Sequence, residues 1–231
     1  MSLAGPWLRP CLPLRYNGGD HWQEVQTMDI FEAIFTQRAM RRLKPDPVPE
    51  DLVWKVLDAA IRAPSGANSQ PWSFIVIRDP ETKNRIAEYY LDSWNNSYGR
   101  IKRKAMANPE AAKIYASAEH LAHHLGEAPV LILVTFDHSR SPASVAVAGS
   151  SIFPAVQNLM LAARALGLGT TLTTIHRGRE AQIKELLDIP ENVETMALIP
   201  LGWPRGKFGP APRLPVEKVT FWDRWGETRE R

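Results

Sequence analysis

Three segments of the chain carry side chains whose types and spacing suit a planar molecule bearing a phosphate. Residues 37–43 read Gln-Arg-Ala-Met-Arg-Arg-Leu, so Arg38, Arg41 and Arg42 gather where a short predicted helix runs into a connector. Cations at a helix C-terminus also favour the macrodipole, which gives this cluster a structural explanation beside the functional one. Residues 63–72 read Ala-Pro-Ser-Gly-Ala-Asn-Ser-Gln-Pro-Trp, a polar loop stiffened by two prolines between an amphipathic helix and a buried strand. Small residues let a ligand approach the backbone, and Ser65, Asn68 and Gln70 offer donors and acceptors. Residues 202–213 hold Arg205, Lys207 and Arg213 among glycines and prolines. Separated guanidiniums match a phosphate dianion, and an amide-rich loop matches the edge of a heteroaromatic ring.

Other patterns carry less. Gly167-Leu-Gly169 follows a helix, whereas the dinucleotide fingerprint needs its glycines after a strand and a third where Leu172 stands. His120, His123 and His124 share a predicted helix without the glutamate or cysteines of a zinc site, so they read as a solvated face and no metal is expected. The basic run at residues 100–104 reads as solvated charge. There is no nucleophile elbow and no Walker A loop, so hydrolase and NTPase chemistry lack a motif.

The elements that position these segments follow from periodicity. Asp29 caps a short helix that ends in Gln37-Arg38, with Glu32 three residues after the cap and Ile30, Phe31, Ile34 and Phe35 on one face. Pro45, Pro47 and Pro49 make an extended connector into an amphipathic helix over 50–62, which Pro64 ends. Strands are predicted at 73–78, 129–136, 170–175 (rich in threonine) and 195–201. The 129–136 run is apolar throughout, as in a strand covered on both faces. Between them fall a mostly buried helix ending near 166 and an amphipathic helix over 179–187. Residues 89–125 read as a polar helix pair, and the proline-rich tail from 202 is extended. No repeat appears, and the elements do not alternate as βαβ, so the prediction is one α+β domain.

Composition bounds the function classes. The chain has 231 residues, 44% hydrophobic and 23% charged, with a net charge of +3. Size scaling gives a folded surface of ~10,500 Å² against ~38,000 Å² unfolded, enough for one sizeable core. So small a charge excess does not point to nucleic acid. The single cysteine, Cys11, excludes an intramolecular disulfide and suits a reducing, cytoplasmic setting. Pro6, Pro10 and Pro13 break any signal-like run, so residues 1–27 are expected to form a flexible extension rather than a targeting segment. The longest apolar stretch, 143–169, contains Ser150, Pro154, Asn158 and Arg164 and does not read as a membrane span.

The ordered set of residues 38–42, the Pro-Asp-Pro-Val-Pro connector, the 63–72 loop, Gly167 to Thr170 and Gly202-Trp203-Pro204 resembles the FMN-dependent nitroreductase family over about 28–223. The resemblance implies an α+β fold with a mostly antiparallel central sheet flanked by helices, and a C-terminal edge strand, parallel to its neighbour, exchanged in a homodimer. It implies an FMN-binding domain over 28–231, with a lid at about 89–125 and a tail at 202–231. Arg38 and Arg41, with Arg42 as a further candidate, match positions that hold the FMN phosphate or ribityl chain. Gln37 and Ala39 stand where family members commonly have arginine and serine. Pro64, Ser65, Asn68 and Gln70 match the loop on the isoalloxazine and ribityl oxygens. Thr173 and Thr174 match the stretch beside the ring, Thr174 being the expected donor near N5, and Arg213 matches the C-terminal cation on the phosphate. The implied activity is hydride uptake from NAD(P)H and reduction of a small electron-poor acceptor such as a nitroaromatic or quinone. A reductive dehalogenase, a flavin-fragmenting enzyme and a non-catalytic FMN store are the alternatives.

Overall fold

The computed structural model describes residues 14–15, 23–24, 28–98, 102 and 106–229. Leu14–Arg15 (β1) pairs antiparallel with Gln23–Glu24 (β2), and the rest of the expected extension at 1–27 lies outside the described residues. Next come α1 (Ile30–Thr36), α2 (Glu50–Ala60), β3 (Trp72–Ile77), α3 (Pro80–Ser97), α4 (Pro109–His124), β4 (Val130–Asp137), α5 (Val145–Ala165), β5 (Gly169–Thr170), α6 (Glu180–Leu186) and β6 (Val193–Gly202). Side-chain caps set three helix starts. Asp29 accepts from the Phe31 and Glu32 amides, Asp79 from Thr82, and Asn108 from Glu110 and Ala111.

The main sheet runs β3-β4-β6-β5, every pair antiparallel. The α+β expectation holds, with this sheet at its centre. A parallel edge strand is not part of this chain's own described sheet. Alternation along β4 builds two cores. Val130, Ile132, Val134 and Phe136 meet α2 and α5 on one face, while Leu131 and Leu133 meet α3, α4 and α6 on the other. Each such aliphatic side chain, fully buried, contributes about 1.5–3 kcal/mol relative to exposure.

Two departures from the sequence reading shape the site. The predicted strand at 170–175 ends at Thr170; thereafter only Thr173 bridges Leu198, and Ile175–Arg179 winds into a 3-10 turn. The second is a bulge in β6, where Met196 is the unpaired residue between Thr195 and Ala197. Glu180 at the start of α6 accepts from both the Thr195 amide (2.7 Å) and hydroxyl (2.8 Å), so the carboxylate replaces a lost ladder partner.

Candidate active site

The arginine segment is pinned on both sides. Met40 is buried and its amide donates to the Thr170 carbonyl at 2.8 Å. The Lys44 amide donates to Trp203 (2.7 Å), and the Arg205 amide to Arg42 (2.9 Å). Gly169 makes this possible, since a Cβ there would stand 2.8 Å from that of Met40. With Met40 anchored inward, Arg41 turns into a chamber of about 430 Å³. Tyr90, Trp94, Tyr98 and Tyr115 line it, and Thr171 to Ile175 cross it.

The chamber is electrostatically incomplete. Arg41 is half-buried and makes no ion pair among the described residues. Burial lowers its guanidinium pKa, against the opposing effect of Tyr90, yet an arginine remains charged at any ordinary pH. A partly desolvated, unpaired charge is costly, and an anionic ligand offsets that cost. The Thr173 hydroxyl is committed to the Tyr90 phenol at 2.8 Å. Burial pushes that phenol's pKa up to about 12, so it stays protonated. Thr174, one residue on, is exposed and lines the chamber with no hydrogen bond from its hydroxyl to the described residues. The structure thus separates the two threonines: Thr173 braces the wall, and Thr174 presents a donor.

The 63–72 loop lies elsewhere in the chain. The Gly66 amide donates to Ser151 of α5 at 3.3 Å, and the Gln70 amide donates to the Ser65 hydroxyl at 3.0 Å. Pro64, Asn68 and Gln70 are exposed. Ala67, Asn68 and Gln70 take φ of 51°, 53° and 46°, left-handed positions without glycine that cost about 1–2 kcal/mol each at Ala67 and Gln70 and less at Asn68. Strain so concentrated marks a loop held for a purpose beyond its own stability. None of Arg38, Ala39, the loop residues or Arg213 lines the chamber. Arg38 and Ala39 are exposed, as is Arg213, whose guanidinium reaches only the adjacent Pro212 carbonyl among the described residues.

The family model described as "Nitroreductase family" matches residues 34–203. The chain belongs to the nitroreductase family. Among relatives, it is 30% identical over 211 residues to an NADH dehydrogenase of Thermus thermophilus, covering 86% of this chain and 98% of that protein. Its fold matches iodotyrosine deiodinase bound to FMN and 3-iodo-L-tyrosine, with a TM-score of 0.67 at 24% identity, over 85% of this chain and 99% of that one. It also matches the NADPH:FMN oxidoreductase of Vibrio harveyi complexed with NAD+, with a TM-score of 0.65 at 22% identity, over 87% and 79%.

In this nitroreductase, the region read as a polar helix pair is a helix pair, the C-terminal part of α3 and α4, whose inner face is the aromatic wall of the chamber. Tyr90, Trp94 and Tyr115 are buried, and Trp94 lies 5.1 Å from Tyr98 and 5.3 Å from Tyr115, ring to ring. The sequence places Trp94 and Tyr98 in the lid region without marking a chamber, because aromatics at helical spacing look like ordinary core. Of the basic run, Lys102 is described and pairs with Glu119 at 2.9 Å.

His176 lies two residues beyond Thr174, fully buried, and neither ring nitrogen makes a hydrogen bond of good geometry among the described residues. Burial pushes its pKa down to about 4; Glu180 opposes, Arg177 adds to the fall, and the Thr173 backbone opposes weakly. The unfolded chain therefore takes up the proton first, near pH 6.5. Its contribution is fully present above that pH and is lost as pH falls to about 4, amounting to about 3 kcal/mol. Stability measured by denaturant at steps from pH 7 to 4 should show this limb, and His176→Gln should flatten it whatever its effect on absolute stability. An unchanged slope in the variant would assign the limb to other groups.

Proposed function

We propose that this nitroreductase binds FMN and reduces small, electron-poor acceptors such as nitroaromatics or quinones with NAD(P)H as donor. The observation that carries the reading is a half-buried Arg41 guanidinium with no ion pair and an exposed Thr174 hydroxyl with no hydrogen bond among the described residues, both lining one aromatic chamber. Such donors suit the electron-rich edge of a flavin and the negative charge that reduction places on it. FMN supplies the hydride and electron chemistry when bound, so the protein contributes binding, orientation and electrostatics. Arg38 and Arg213, with Arg42 as a further candidate, neutralise its phosphate. Thr174 donates to the ring, and Ser65, Asn68 and Gln70 hydrogen-bond its polar edge with Pro64 shaping the turn.

The site is completed by a second copy. Arg41 and Thr174 face one chamber while the strained loop lies away from it, so a molecule touching both sets spans two subunits. An apolar surface supports this: Phe31 and Phe35 on α1 are 62% and 66% exposed, and Leu214 and Trp225 on the tail are 72% and 89% exposed. In this reading residues 28–231 are one FMN-binding unit, the tail from 202 supplies a strand to the partner, and residues 89–125 act as the lid. The single cysteine fits a cytoplasmic setting, and among the described residues no helix is long and apolar enough to cross a membrane.

Light scattering of the FMN-loaded protein should give a dimer, and a flavin-loaded monomer would remove the shared site. Steady-state oxidation of NAD(P)H should depend on an added quinone or nitroaromatic. Tight FMN binding with no turnover on either acceptor would identify a flavin store instead.

A further inference from the structure

Beside the aromatic chamber lies a second, polar cavity of about 270 Å³, walled by Arg41, Arg42, Arg205, His120, His124 and Glu127 among others. The two cavities share Arg41 and Leu121, so one ligand can place a ring in the first and a charged group in the second. Its charge is one-sided. The carboxylate of Glu127 is engaged by the His124 ring at 2.7 Å, and none of the three arginines has an ion-pair partner among the described residues. The site is also built. The Arg205 Nε donates to the Leu43 carbonyl at 3.0 Å and its amide to Arg42, which fixes the side chain's base and leaves its terminal nitrogens for a ligand. His120 stacks on His124 with ring centroids 4.2 Å apart. Burial lowers the His120 pKa; Arg42 and His124 push the same way against Glu127, and Arg205 adds, as expected at a cluster of positive charge.

We propose that this cavity seats a phosphoryl group of the nicotinamide dinucleotide while its nicotinamide lies in the chamber. Converging guanidinium forks suit the several terminal oxygens of a phosphoryl group better than the two of a carboxylate. The phosphate of FMN is assigned to Arg38 and Arg213, neither of which lines this cavity; Arg42, the further candidate for it, does, so Arg205 is the position that tells the two phosphates apart. The inference rests on the oxidoreductase reading, and the experiment separates the two.

Arg205→Ala, Arg205→Lys and Arg42→Ala are compared with the wild-type holoenzyme. FMN affinity is read from flavin fluorescence, and affinity for NAD+, NADP+ and inorganic pyrophosphate from calorimetry. Donor KM and kcat are followed separately. Losing one charge-assisted contact should weaken dinucleotide binding about 10- to 100-fold. KM should rise alike with kcat held, FMN affinity should stay level in Arg205→Ala, and Arg205→Lys should recover part of the loss. Weakening of both dinucleotides places the pyrophosphate in the cavity, and weakening of NADP+ alone places the 2′-phosphate there. Unchanged dinucleotide affinity in both alanine variants would overturn the proposal. A parallel loss of FMN from Arg205→Ala would also overturn it, by giving the cavity to the flavin phosphate. If the wild type takes no FMN, the oxidoreductase reading falls, while the pyrophosphate titration still decides whether the cavity binds this anion.

Discussion

Thr174→Val should keep its FMN and slow reduction of the bound flavin by NAD(P)H by about 100- to 1,000-fold, the usual cost of removing one donor aimed at developing negative charge. The substitution preserves shape, and the wild-type hydroxyl makes no hydrogen bond among the described residues, so folding should be unaffected. Thr173→Val is the control. Its hydroxyl bonds Tyr90 inside the wall, so losing it should cost about 1 kcal/mol of stability rather than catalytic rate. Stopped-flow half-reactions under anaerobic conditions separate the two. Equal rates in wild type and Thr174→Val would take the donor role from Thr174.

Arg213→Ala should fold normally and purify with little bound flavin, its affinity for FMN reduced about 10- to 100-fold, as expected for one charge-assisted phosphate contact. Arg213 is exposed on the tail, and its guanidinium contacts only the neighbouring Pro212 carbonyl among the described residues. It is therefore a cation without a structural task among the described residues. Fluorescence titration of apoprotein with FMN measures the effect directly. Full occupancy at low FMN concentration in the variant would remove Arg213 from the site.

Local chemistry was legible in the sequence where backbone geometry and side-chain type agree. The proline-bounded loop at 63–72, the cations at 38–42 and the alternation that makes β4 a two-faced core strand all follow from short stretches. Features that depend on distant partners were not. The threonine run after Thr170 has strand propensity, but the chain leaves the sheet there and winds into the turn carrying His176, so tertiary packing overrides it. Nothing local distinguishes His176 as buried, or Arg205 as one wall of a cavity closed by residues more than eighty positions away on α4. Tyr90, Trp94 and Tyr115 carry the periodicity of ordinary core, and only the fold shows that their far side is a chamber. That the 63–72 loop lines neither the chamber nor the cavity beside it is likewise a property of the folded chain, and it supports the proposal that two subunits share the site.

The central claim is that this nitroreductase holds FMN as a working redox group. Its most direct test is the visible spectrum of the purified protein, reconstituted with FMN where needed, followed by anaerobic titration with NADH and NADPH. The account predicts protein-bound flavin absorbance that bleaches stoichiometrically with donor and returns when a quinone or nitroaromatic is added. No flavin bands after reconstitution, or bound flavin that neither donor bleaches, would contradict it.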